Sequence, residues 1–142
     1  MQSEFLKYGG NHFIKNDLKR LKRWSSLEED VLNFFKILSG GLSETKWPPP
    51  NSFGGGLITK KQSAEETILF FKDRQGITDP RTNPAQGARI VYGLVKEQRV
   101  FIPFLVFSAS EEGKYYRINS KKLLLTKSNF TKIIDEKIKS SL

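Results

Sequence analysis

The sequence predicts an α+β fold in which an N-terminal helical hairpin packs on an antiparallel β-sheet, with a short C-terminal helix. Apolar residues recur at helical spacing between Ile14 and Leu38, three β-type segments follow from Thr67, and helical spacing returns after Ser128. Helices segregated from a run of strands mark this class and not an alternating α/β fold. A length of 142 residues with 37% hydrophobic and 12% aromatic content suffices for one core, so residues 1–142 are expected to form one domain.

In HFIKNDLKRLKRW, residues 12–24, Ile14, Leu18 and Leu21 trace one helical face. Lys15, Lys19, Arg20, Lys22 and Arg23 take the other faces, and Asp17 is the single acid. A second helix is expected in SSLEEDVLNFFKILSGG, with Leu27, Val31, Phe34 and Leu38 as its apolar face. Ser26 and Glu29 have capping-box spacing there, and Glu28, Glu29 and Asp30 suit the positive end of the helix dipole. Gly40 and Gly41 are expected to end it. Residues 42–63 hold Pro48–Pro50 and Gly54–Gly56 and read as an irregular connection, with Trp47 plugging a core edge in preference to stacking on a base.

TILFFKDR (67–74), ARIVYGLV (88–95) and RVFIPFLVF (99–107) read as an antiparallel meander. The last two form a hairpin across Lys96–Arg99, and an irregular loop over 75–87 separates the first two. Pro103 removes a ladder donor and so requires a bulge or an edge strand. The final helix, in SNFTKIIDEKIKSSL, has Ser128 as its candidate cap and Phe130, Ile133, Ile134 and Ile138 on one side.

The formal charge of +9 and pI near 9.8 attract a polyanion before any specific contact forms. Nucleic acid is the first expected partner and an acidic protein the second. The lack of cysteine excludes disulfides, thiolate metal ligands and a cysteine nucleophile, and fits a reducing cytoplasm. No carboxylate cluster suits a metal nuclease, and the glycine run lacks the Lys-Ser/Thr of a phosphate-binding loop, so no cofactor is expected. His12 is the only histidine, which excludes a catalytic histidine pair; it reads as structural or solvent-facing. MQSEFLKYGG is interrupted by Lys7 and carries neither a secretory signal nor a membrane span, so the expected location is the cytoplasm.

Arg89 stands against the apolar pattern of its strand. Alternation puts Ile68, Phe70, Lys72 and Arg74 on one face of the first strand, and Arg89, Val91, Gly93 and Val95 on one face of the second. An unpaired arginine under a helical layer is too costly, so Arg89 is expected on the open face, where its removal would spare the fold. With Lys72 and Arg74 beside it and Arg81 in the intervening loop, cations would line a concave surface suited to phosphate.

FIKNDLKRLKRWSSLEEDVLNFFKIL, FFKDR, GARIVYGLV and VFIPFLVFS, within residues 13–38 and 70–108, resemble in order and spacing the RelE/ParE superfamily of toxins from bacterial toxin–antitoxin systems. The first is similar to that family's basic first helix and capped second helix. The others are similar to its lysine/arginine strand, its glycine-arginine-aliphatic-aliphatic-tyrosine strand and its closing aliphatic strand. The resemblance implies a metal-independent, ribosome-dependent mRNA endoribonuclease, neutralised by a cognate antitoxin that wraps it. Residue by residue, Lys72 and Arg74 resemble the family's strand cations and Arg89 its phosphate-contacting arginine; Tyr92 takes the tyrosine position or belongs to the core. The chain departs from the pattern at Phe107-Ser108-Ala109-Ser110 and EEGKYY, where Lys114, Tyr115 and Tyr116 fall several residues late for the family's closing donor. It is also longer than a typical member, by residues 42–63 and by its tail.

Cleavage by attack of an RNA 2′-hydroxyl on its own 3′ phosphate needs a base, charge stabilisation and an acid. In the reading that the resemblance implies, Arg74 and Arg89 hold the nonbridging oxygens, Lys72 is the base and Tyr115 the acid. Lys15, Lys19, Arg20, Lys22, Arg23, Arg81 and Lys114 would bind the nucleic acid. Two other functions stay open: a ParE-like inhibitor of DNA gyrase, and a basic nucleic-acid-binding domain without catalysis. Retention of Lys72, Arg74 and Arg89 favours cleavage.

Overall fold

Four antiparallel strands lie side by side in chain order: β1 (Leu57–Gln62), β2 (Thr67–Gln75), β3 (Ala88–Val95) and β4 (Val100–Ser108). The computed structural model describes residues 11–44, 57–62, 67–95 and 100–140. A one-turn 3₁₀ segment (His12–Ile14), α1 (Lys15–Arg20) and α2 (Leu27–Glu44) precede the sheet. A two-stranded sheet of β5 (Tyr115–Ile118) and β6 (Lys121–Leu124), then α3 (Lys127–Lys139), follow it. The expected α+β arrangement of N-terminal helices, antiparallel sheet and C-terminal helix is thus present. Among the described residues no helix is long and apolar enough to cross a membrane.

The sheet is covered on both faces, which corrects the expectation of an open one. On one side Ile14, Leu21, Trp24, Leu27, Val31 and Phe34 bury Phe71, Ile90, Tyr92, Leu94 and Val106. On the other, Phe13, Tyr116, Phe130, Ile133 and Ile134 bury Phe70, Val91, Val95, Phe104 and Phe107. Strand β3 lies between these layers with all its residues buried, which is why ARIVYGLV reads as a nearly continuous apolar run. The cores are aromatic: Phe13 stacks on Phe104 with centroids 4.6 Å apart, and Phe71 on Tyr92 at 5.7 Å.

Pro103 sits where its missing N–H costs least. Strand β4 is an edge strand, and Val91 pairs with Leu105 while Tyr92 pairs with Pro103, so Phe104 is the extra residue of a bulge. Gly93 makes room for it: a Cβ there would stand 2.9 Å from the Phe104 ring and 3.1 Å from Ile68.

Several local expectations are revised. The first helix does not run over 12–24; α1 ends at Arg20, and a tighter turn with Trp24 N–H on Leu21 O (2.9 Å) swings Trp24 into the core. Helix α2 continues through Gly40 and Gly41 to Glu44, glycine being costly but tolerated in a helix. Instead of closing a box with Glu29, the Ser26 hydroxyl donates to Asp30 (2.7 Å) and accepts from the Asp79 amide (2.8 Å). Asp30 in turn accepts from the Thr78 amide and hydroxyl (2.9 and 2.6 Å), so the start of α2 is tied to the β2–β3 loop. Burial pushes the Asp30 carboxyl up, but these donors outweigh it and hold the group below its usual range.

Strand β1 lies inside the stretch expected to be irregular, and the β5–β6 hairpin turns on Asn119 and Ser120, both at positive φ (50° and 65°). The cap residue of α3 is Thr126, not Ser128, while Phe130, Ile133 and Ile134 are buried and Ile138 packs against them. Trp47, the glycine run and the reversal at Lys96–Arg99 lie outside the described residues.

Candidate functional site

Antiparallel register sets Arg74 directly opposite Arg89 and Lys72 opposite Val91, so the three cations share one face at one end of the sheet. Their meeting point is Glu112, delivered by the 3₁₀ turn Ala109–Glu111 that follows β4. Ser108 caps that turn, its amide donating to Glu111 at 2.8 Å. The Glu112 carboxylate accepts from Arg89 Nε at 2.6 Å and pairs with Lys72 Nζ at 3.6 Å. Burial pushes its carboxyl up, but the Arg89 hydrogen bond and the charges of Lys72, Arg89 and Arg74 hold it below the ordinary range.

Arg89 is not on an open face. It is 4% exposed, and besides Glu112 it donates from Nη1 to Pro84 O (2.9 Å) and from Nη2 to Ala85 O (3.0 Å). The physical reason is the one that made an unpaired buried arginine implausible: this one is paired, and its fork fastens the Pro84–Gln86 turn and the Glu112 turn to the sheet. Lys72 is partly exposed and its ammonium lies 5.5 Å from the centre of the Phe130 ring. The Arg74 guanidinium is exposed and makes no hydrogen bond or ion pair among the described residues; only its charge reaches Glu112. Arg81 and Lys114 are exposed and their side chains make none of the contacts of this cluster.

Lys15, Lys19, Lys22 and Arg23 are exposed along and just after α1, as expected for a basic strip. Arg20 departs from them. Its guanidinium turns inward to Asp17 (2.7 Å), Val106 O (2.8 Å) and Glu111 (2.9 Å), so it holds the fold together instead of facing a ligand alone. One short turn therefore gives an acid to each inward arginine, Glu111 to Arg20 and Glu112 to Arg89.

Asp17, fully buried, is the hub that sequence reasoning missed. It accepts from Arg20, from the Tyr116 hydroxyl (2.6 Å), from Lys137 Nζ (2.8 Å) and from the Val106 amide (3.1 Å). Burial pushes the Lys137 amine down against the opposing pull of Asp17, and burial followed by the Asp17 charge pushes the Tyr116 phenol up. For Arg20 the carboxylates outweigh burial, and its value rises. The signal was present: Asp17 falls at helical spacing from Ile14 and Leu21, and Lys137 from Ile133 and Ile134, so each charge sits on an apolar face.

Beside this hub opens a cleft of about 680 Å³ between the first helical turns, the β5–β6 hairpin and the end of α3. His12, Asn16, Arg20, Tyr115, Arg117 and Asn119 line it. Tyr115 belongs here, 67% exposed, and not with Lys72, Arg74 and Arg89, none of which lines the cleft. The sequence reading put Tyr115 with the strand cations because the hairpin that carries it onto a second sheet was not recognised. No family model, curated protein or solved structure matches the chain.

Proposed function

We propose that the chain is a toxin of the RelE/ParE kind that acts on mRNA at the ribosome in the cytoplasm, with a cognate antitoxin as its protein partner. The observation that carries this reading is the convergence of Lys72 and Arg89 on the carboxylate of Glu112, with Arg74 directly opposite Arg89 in the sheet register. Three cations against one acid leave a local surplus of positive charge at a sheet end, and a carboxylate oxygen is the nearest protein equivalent of a nonbridging phosphate oxygen. Lys72 and Arg74 then meet the scissile phosphate and stabilise the charge that builds on it during 2′-hydroxyl attack. Arg89 acts behind them as a positioning residue, since its donors are spent on Glu112 and on backbone. An antitoxin segment that neutralises the protein brings acidic residues to this edge and to the strip of Lys15, Lys19, Lys22 and Arg23.

A second reading, a basic nucleic-acid-binding domain that does not cut, is favoured by one observation: Tyr115, the assigned acid, lies in the cleft away from the strand cations. Purified protein incubated with translating ribosomes and mRNA, with 5′ ends mapped by primer extension, separates the two. The leading reading expects cleavage that Lys72→Ala combined with Arg74→Ala abolishes at unchanged melting temperature. Ribosome binding without cleavage selects the second, and neither binding nor cleavage at low salt rejects both.

A further inference from the structure

We infer that the cleft beside the Asp17 hub is a seat for an unpaired nucleotide of a single strand, in which Tyr115 stacks on the base and Arg117 holds an adjoining phosphate. Both side chains project from the same face of β5, about 7 Å apart along the strand. Neither has a partner among the described residues, so a 67%-exposed aromatic ring and a guanidinium fork stand ready at no cost in broken contacts. Tyr116, between them, points inward and is fixed by its 2.6 Å bond to Asp17, so the platform is rigid. An exposed, sequence-tolerant stacking ring next to a cation is the arrangement by which single strands are held.

The rest of the lining agrees. The Asn16 carboxamide, likewise without a partner among the described residues, offers a donor and an acceptor to a base edge. Arg20 and Lys137 are paired with Asp17 and Glu111, so Arg117 is the surplus cation of the lining. The cleft volume, about 680 Å³, lies in the range of small-molecule sites and takes one nucleotide with room for its neighbours' backbone. A purely apolar ligand would strand these polar groups, and one lining carboxylate is too few for a metal.

This seat rests on the nucleic-acid part of the proposed function and not on cleavage. Fluorescence anisotropy of a labelled short oligouridine at low salt, with an abasic strand of the same length as control, tests it. Tyr115→Ala is expected to weaken oligouridine binding roughly tenfold to a hundredfold, the loss of one stacked base, and Tyr115→Phe to restore it. Arg117→Ala is expected to lower the slope of log affinity against log salt by about one, whereas Lys132→Ala, an exposed cation on α3, leaves that slope unchanged. Tight oligouridine binding indifferent to Tyr115 and Arg117, or equal binding of the abasic strand, overturns the seat alone. An acidic peptide bound with the same dependence on both residues, and not displaced by oligouridine, also overturns it. No binding of either strand by the wild-type protein rejects the nucleic-acid reading with it.

Discussion

Replacing Arg89 by alanine withdraws a guanidinium that is 4% exposed and leaves its acceptors behind: the Glu112 carboxylate, the carbonyls of Pro84 and Ala85 and, at 3.5 Å, that of Ala88. Breaking a buried ion pair from one side costs about 3–5 kcal/mol, but Glu112 is 39% exposed and recovers water, so about 2–4 kcal/mol is the expected loss. At roughly 2.1 cal/mol/K per residue, 142 residues give a melting entropy of about 0.3 kcal/mol/K, and the midpoint should fall by about 7–13 °C. Calorimetry and urea titration read this directly. Arg89→Lys, which keeps the charge but not the fork, should fall between alanine and wild type. The clamp has an acid limb as well. The folded pKa of Glu112 lies below its unfolded value of 4.5, so its contribution is full above about that pH and is lost as the pH falls through the folded value. A thermal melt of Arg89→Ala that superimposes on the wild type would refute the reasoning, because no surface role predicts that loss and no clamp survives without it.

The Asp17 hub should respond asymmetrically: Asp17→Ala removes the counter-charge of buried Lys137 and costs about 3–5 kcal/mol, while Lys137→Met costs clearly less because Asp17 keeps Arg20, Tyr116 and Val106, an order that urea midpoints check. Burial of Tyr92 and Tyr116 raises both phenols above the unfolded value of 10.0, so the stability they confer is full below that pH and lost above it; absorbance at alkaline pH should show both ionising only as the fold opens. Affinity for ribosomes or RNA should drop steeply with salt, and Lys15→Ala, Lys19→Ala, Lys22→Ala and Arg23→Ala should each flatten the salt slope by about one, whereas Arg20→Ala should appear first as lost stability.

What could be read from the chain follows from what periodicity encodes. Strands β2, β3 and β4 announced themselves through β-branched and aromatic runs, and Pro103 named its own bulge because a missing donor has few legal positions. Alternation put Lys72 and Arg74 on one face of β2, and the register with β3 sets Arg89 on that same face. It could not say what covers that face, since Glu112 is 23 residues from Arg89 and β5, which carries Tyr116 into the cover, was not recognised. The β5–β6 hairpin escaped because YYRI and KKLL bury few residues and so show no apolar face, and an Asn-Ser turn is a weaker mark than Asn-Gly. Strand β1 was masked by the proline and glycine runs before it, which weigh against regular structure although Leu57, Ile58 and Thr59 suit a strand. The burial of Asp17 was legible on the helical face, but its partners come from three distant segments, and single-segment patterns do not record pairing across the fold.

Asp17 and Lys137 stand 120 positions apart, and their bond closes a ring through almost the whole chain. During synthesis, the ribosome will have made α1 and all four strands of the main sheet long before Lys137 leaves the exit tunnel. Through that interval Phe70, Val91, Phe104 and Phe107 await the helix that covers them, and Asp17 stays hydrated for want of its ammonium. The carboxylate of Asp17 thus reaches its final environment only when Lys137 of α3, made 120 positions later, arrives. Until then the nascent chain presents an aromatic sheet face to whatever segment, from itself or from another protein, reaches it first.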